Sequence, residues 1–100
     1  MSFQVGATYG GQITITDHQA GTRFDLTIEL ADAAARQVAD LIDTGASTIL
    51  ARVECLEGRA FRFAGNADQA RQLVDDFGKA IDFSRDVLRA IAEIDAEEGA

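Results

Sequence analysis

Few side chains in this sequence have the types and spacing that catalysis requires. His18 is the only histidine and follows Asp17, so a catalytic pair would need a serine or cysteine brought close by folding. Cys55 is the only cysteine, which excludes an internal disulfide and a site built on several thiolates. We expect His18 to lie in a turn and Cys55 to be a buried structural thiol. Neither residue predicts an active site.

Metal and phosphate binding have equally little support. The carboxylate pairs Asp82 with Asp86 and Asp40 with Asp43 lack the loop spacing of a calcium site. The glycine-rich stretch at residues 6–11 is followed by neither a lysine nor a helix start, which a phosphate-binding loop needs. The sequence therefore predicts a protein that is not an enzyme and that has no metal site and no cofactor.

Length and composition are those of one globular domain. The chain has 100 residues, 47% of them hydrophobic and 26% charged, which suffices for a single hydrophobic core. No apolar run reaches the roughly 18–20 residues of a membrane span. The first eleven residues lack the basic region and apolar stretch of a signal peptide. We expect a single domain over residues 1–100, located in the cytoplasm.

The charge is acidic and concentrated at one end. Nine Lys and Arg against 17 Asp and Glu give a net charge of -8, which opposes contact with nucleic acid and with anionic membranes. Half of it comes from four acids in residues 93–100, a stretch without a basic residue. This predicts an acidic C-terminal tail suited to a basic protein partner, and no direct contact with nucleic acid or membrane.

Alternation of apolar and polar residues predicts strands in the first third of the chain. It is clearest over residues 24–30 and also present over residues 13–16. Pairing Asp17 with Thr22 puts the apolar residues of both strands on one face. A further strand at the N-terminus completes a three-stranded meander over residues 1–30.

Helical spacing then begins at Leu30 and ends before Gly45, which predicts one short helix. A second hairpin follows, with a three-residue turn at residues 57–59, since a two-residue turn would separate the apolar faces of its strands. This turn pairs Cys55 with Phe61, Val53 with Phe63, and Glu54 with Arg62 as a cross-strand ion pair.

Asn66 with Gln69 resembles a capping box that opens the last helix. Its predicted core stripe is Ala70, Val74, Phe77, Ile81, Ser84, Leu88 and Ile91. The element order is therefore βββ-α-ββ-α. We predict an α+β fold of two layers, an antiparallel five-stranded sheet with two helices on one face.

The last helix is too long for its own domain. Thirty residues, 67–96, span about 45 Å, whereas a 100-residue domain has a radius of gyration near 13 Å. The helix either breaks, at Gly78 or in residues 82–84, or its C-terminal half projects. A second apolar row there predicts a protein interface together with the acids of the tail. The interface residues are Phe83, Val87, Ala90, Ile94, Glu93, Asp95, Glu97 and Glu98.

These features favour a non-catalytic, acidic protein-binding module that forms a homodimer. The function we expect is inhibition or regulation of a basic, nucleic-acid-handling protein. Phage anti-defence proteins, antitoxins and immunity proteins are of this physical type. An alternative function follows from the element order, because βββ-α-ββ-α resembles a run of elements in class I type III secretion chaperones. That resemblance implies a small dimeric chaperone or adaptor that binds extended apolar peptides.

Overall fold

Five strands and two α-helices follow one another as βββ-α-ββ-α in residues 3–98, the part of the chain that this computed structural model describes. The strands are β1 (Phe3–Ala7), β2 (Ile13–Asp17), β3 (Thr22–Leu26), β4 (Ile49–Glu54) and β5 (Ala60–Gly65). The helices are α1 (Ile28–Asp43) and α2 (Ala67–Glu98), and a 3-10 turn (Leu56–Gly58) joins β4 to β5. The predicted α+β class and element order are confirmed.

The strands form two antiparallel sheets, β1-β2-β3 and β4-β5, so the predicted single sheet of five strands is not confirmed. Side chains make the contact between the two sheets. The Phe61 ring packs edge-on against Phe3 and Phe24, with ring centroids 5.1 and 5.7 Å apart. The hairpin therefore adds to the hydrophobic core and does not extend the three-stranded sheet.

The register of β2 and β3 is the predicted one. Asp17 pairs with Thr22, and β1 continues the same apolar face on the other side of β2. The alternation up to Leu30 predicted a longer β3, and this is wrong. Thr27 Oγ1 accepts a hydrogen bond of 3.1 Å from the Leu30 N–H and caps α1, which begins at Ile28.

The register of β4 and β5 differs by two residues from the prediction. Val53 lies opposite Phe61, and five residues connect the strands instead of three. The connection is closed by the Cys55 N–H, which donates to the Arg59 carbonyl at 2.9 Å. Because a shift of two residues keeps every side chain on its face, both phenylalanines still face the core. The predicted Glu54–Arg62 ion pair is wrong: Arg62 lies opposite Arg52, which pairs with Glu54 along the same strand.

One hydrophobic core joins both sheets and both helices. Its largest fully buried side chains are Ile13, Ile15, Leu26, Val38, Ile49, Val53, Leu73 and Phe77. The two helices pack against each other, with α2 running beside β1. This arrangement leaves one surface of α2 available wherever the helix extends past its neighbours.

Helix α2 begins with the predicted capping box. The Gln69 N–H donates to Asn66 Oδ1 at 2.8 Å, and the Asn66 N–H donates to Gln69 Oε1 at 2.9 Å. The helix is unbroken at Gly78 and at residues 82–84, and its 32 residues span about 48 Å. The molecule measures 55 × 29 × 22 Å, so the helix projects. Neither helix in residues 3–98 combines the length and hydropathy that crossing a membrane requires.

Candidate protein interface at the end of helix α2

The part of α2 that belongs to the core ends at Ser84. The buried residues of the helix are Ala70, Leu73, Phe77, Ala80, Ile81 and Ser84. Near its start, Gln69 lines a groove with Phe3, whereas Leu88 lies against Gly11. Helix α2 therefore runs in the same direction as β1 and passes the β1–β2 turn at Leu88. The segment beyond that turn extends away from the core.

The predicted core stripe does not stay buried beyond Ser84. Leu88 and Ile91 were predicted to be core residues, but each is more than 40% exposed. Periodicity identified their face of the helix correctly, although the core ends before it reaches them. Phe83 and Ile94 are exposed by 43% and 54%, so both apolar rows meet solvent.

The structure brings the predicted apolar interface residues onto one surface. We call this surface the distal face. It comprises Phe83, Val87, Leu88, Ala90, Ile91 and Ile94. All but the half-buried Val87 are exposed. An amphipathic helix usually buries such a stripe, so the distal face has the composition of a contact surface.

Acidic residues border the distal face. At 100° per residue, Asp86 and Glu93 follow one long side of it, and Asp95 closes it at the tip. Arg85 and Arg89 lie on the opposite side of the helix, and Arg89 pairs with Asp86 at 3.8 Å. The distal face is therefore an apolar stripe with an acidic margin.

The predicted acidic tail is helical as far as Glu98. Glu93 and Asp95 are exposed, as an interface requires. The side chains of Glu97 and Glu98, and all of residues 99–100, lie outside the described part of the chain. The interface predicted at those positions stays a prediction.

Two contacts fix the place where the distal face begins. Gly11 has a φ of 82°, and a Cβ at this position would lie 2.7 Å from Leu88 Cγ. Tyr9, in the same turn, stacks edge-on with Phe83 at 6.1 Å and is 84% exposed. Tyr9 extends the distal face onto the β1–β2 turn. Sequence reasoning missed this residue because a turn has no periodic pattern.

The other reactive side chains are not brought together. His18 is exposed in the β2–β3 turn, where Asp17 Oδ1 accepts from the N–H groups of Gln19 and Ala20 at 3.0 and 3.1 Å. Asp17 therefore stabilises the turn backbone. Cys55 is buried, and burial raises the pKa of its thiol. Residues 3–98 contain no cluster of three metal-ligating side chains.

Comparison with known protein families, with curated proteins and with solved structures finds no match. The function proposed below therefore depends on the geometry and charge of the distal face.

Proposed function

We propose that this protein is a non-catalytic, acidic protein-binding module that binds its target through the distal face of α2. The observation that carries this proposal is the unbroken helix, which extends beyond its core with an exposed apolar stripe. Apolar surface in water costs about 25 cal/mol per Å², and contiguous exposed patches on soluble proteins are commonly binding sites. A second protein that covers the stripe would recover this free energy.

The charge around the distal face favours a partner different from the chain itself. An antiparallel pair of α2 helices centred on this stripe would place Asp86 near Glu93 of the second copy. This arrangement brings like charges together, whereas an apolar groove bordered by Arg and Lys would be complementary.

Proteins that handle nucleic acids carry basic surfaces of this kind. The net charge of -8 would accelerate encounter with such a surface. Occupation of the groove by α2 would block it, which is the action of an inhibitor or regulator. Phage anti-defence proteins, antitoxins and immunity proteins act by binding another protein in this general way, and we place this chain with that functional type.

A photo-crosslinking amino acid tests this function. Introduced at Ile94 on the distal face, it should capture one heterologous protein, and the same group at Arg89 on the opposite side should not. The captured protein is then purified and titrated with the chain at two salt concentrations. We expect affinity to fall steeply with salt, because charge attracts the partners.

A matched pair of variants tests the surface itself. Val87→Asp puts a charge in the apolar stripe and should weaken target binding at least about tenfold, a change of about 1.4 kcal/mol. Ala96→Asp adds the same charge on the opposite side and should leave the affinity near the wild-type value. Equal affinities of the two variants would contradict the proposal. A dimer that binds extended apolar peptides with little dependence on salt would instead support the chaperone or adaptor alternative.

A further inference from the structure

The two outer strands of the three-stranded sheet differ in how their edges are protected. On β3, Arg59 Nη1 donates to the Arg23 carbonyl at 2.8 Å, and its guanidinium lies 4.5 Å above the Phe24 ring. Strand β1 has the sequence FQVGA, without a charged residue or a proline. Within residues 3–98, β1 pairs only with β2. Charged residues, proline and covering side chains protect the edge of a sheet from pairing with a further strand. The edge of β1 has none of these features and is therefore a site for strand addition.

The hydrogen-bond ladder between β1 and β2 identifies which backbone N–H and C=O groups of β1 point away from β2. The Thr8 N–H donates to the Gln12 carbonyl at 2.8 Å, and hydrogen-bonded pairs alternate along an antiparallel ladder. Gln4 and Gly6 therefore direct their backbone groups toward β2. Phe3, Val5 and Ala7 direct theirs toward the free edge. The accepting Arg23 carbonyl on the opposite edge agrees with the same alternation.

A groove of about 330 Å³ runs beside this edge. It is lined by Val5, Gly6 and Ala7 of β1 and by Asp76, Lys79, Ala80 and Phe83 of α2. Strand β1 and helix α2 thus offer free backbone groups, apolar surface and two opposite charges on one side of the molecule. An added strand would use all three.

We propose that a second copy of this chain occupies this groove, with its β1 adding antiparallel to β1 about a two-fold axis at Val5. In this register Val5 lies opposite Val5, and Phe3 lies opposite Ala7. All three residues direct their N–H and C=O groups toward the partner strand, so these groups pair with one another. A large side chain next to a small one also fills space evenly on the apolar face. The sequence of β1 is therefore self-complementary.

The charges in the groove support the same partner. Asp76 and Lys79 lie one helical turn apart beside β1. Within α2, Lys79 pairs with Asp75 at 3.0 Å and Asp76 accepts from Gln72 Nε2 at 2.9 Å, so a contact across the dimer would be added to these partners or would replace them. A two-fold axis that passes between them places Asp76 opposite Lys79 of the second copy, twice by symmetry. The groove shares Phe83 with the distal face, but none of the other distal-face residues lines it. The dimer does not depend on the function proposed above.

Light scattering coupled to gel filtration tests the dimer, because an elongated molecule elutes earlier than its mass implies. The wild-type chain should show a mass near twice 10.7 kDa, decreasing on dilution. Val5→Pro removes an N–H that β2 does not use, so it should give a folded monomer. Val5→Ala keeps the N–H and should remain a dimer. Circular dichroism confirms that both variants fold.

A charge exchange tests the register. Asp76→Lys alone or Lys79→Asp alone should weaken dimerisation about tenfold, and the double variant should recover most of the loss. A monomer at millimolar concentration, or a dimer that Val5→Pro leaves intact, would overturn the proposal. So would a dimer that neither Asp76→Lys alone nor Lys79→Asp alone weakens. Val87→Asp should leave the dimer unchanged, so failure of the dimer and failure of target binding are distinguishable.

Discussion

Substitution of Gly11 by alanine should destabilise the fold more than the same change at Gly21. Both glycines are in β-turns of the meander with positive φ, 82° and 66° respectively. Alanine in the left-handed region costs roughly 1–2 kcal/mol, and this term is common to both positions. The two sites differ in their surroundings, because a Cβ at Gly21 meets nothing within 4 Å.

The additional loss at Gly11 comes from Leu88. A Cβ at Gly11 would approach Leu88 Cγ and Cδ2 to 2.7 Å, which is too close for carbon atoms. Leu88 is exposed, so its side chain can rotate away, and an off-rotamer side chain costs about 0.5–1.5 kcal/mol. We therefore expect the free energy of unfolding to fall about 1 kcal/mol further in Gly11→Ala than in Gly21→Ala.

Urea denaturation followed by circular dichroism measures both values, and the difference between the two variants cancels the shared backbone term. Truncation of the neighbour provides a second check: in a Leu88→Ala background, Gly11→Ala should lose its additional cost. Equal destabilisation by the two glycine substitutions would refute the contact between the β1–β2 turn and α2. The place where α2 leaves the core would then have to be reconsidered.

Two further predictions concern buried polar atoms. Ser84 Oγ is buried without a hydrogen-bond partner in the described residues, and a buried unsatisfied group costs about 1–3 kcal/mol. Ser84→Ala should therefore raise the free energy of unfolding, and a lower midpoint in urea would contradict this. Because burial raises the pKa of the Cys55 thiol above 9.0, the folded state holds this proton more tightly than the unfolded state. The stabilisation is present below about pH 9 and is lost as the pH rises through the folded pKa. In Cys55→Ala, the free energy of unfolding should therefore decrease less over this alkaline range than in the wild type.

The sequence predicted the meander well because two local signals agree there. Alternation fixes the face of each strand, and the short turn between Asp17 and Thr22 fixes the register. The second hairpin was predicted on the right face but with the wrong partners. Its connection contains Glu57 with a φ of 64°, a left-handed conformation that glycine commonly adopts. Residue types alone did not indicate the additional residues in this turn.

The candidate interface was predicted from length and is more extensive than expected. A straight 30-residue helix could not fit on a 100-residue domain, so its length predicted either a break or a projecting half, and the structure shows the projecting half. The residue pattern supplied the second apolar row, in which Phe83 and Ile94 are exposed. Leu88 and Ile91 were assigned to the core because periodicity shows which side of a helix is apolar. It does not show where the neighbouring elements end. The residue at which burial along α2 ends depends on the position of the β1–β2 turn. Tertiary contacts set that position.

The direction of α2 relative to β1 determines what an assembly of this protein can reach. Because the helix and the strand run the same way, antiparallel pairing of two β1 strands sends the two helix tips toward opposite ends of the dimer. Each tip would then meet its own target molecule, and the dimer would act as a bridge between them. The dimer would bind with higher avidity to two targets held in one array, such as neighbouring subunits, and it would crosslink targets that are isolated.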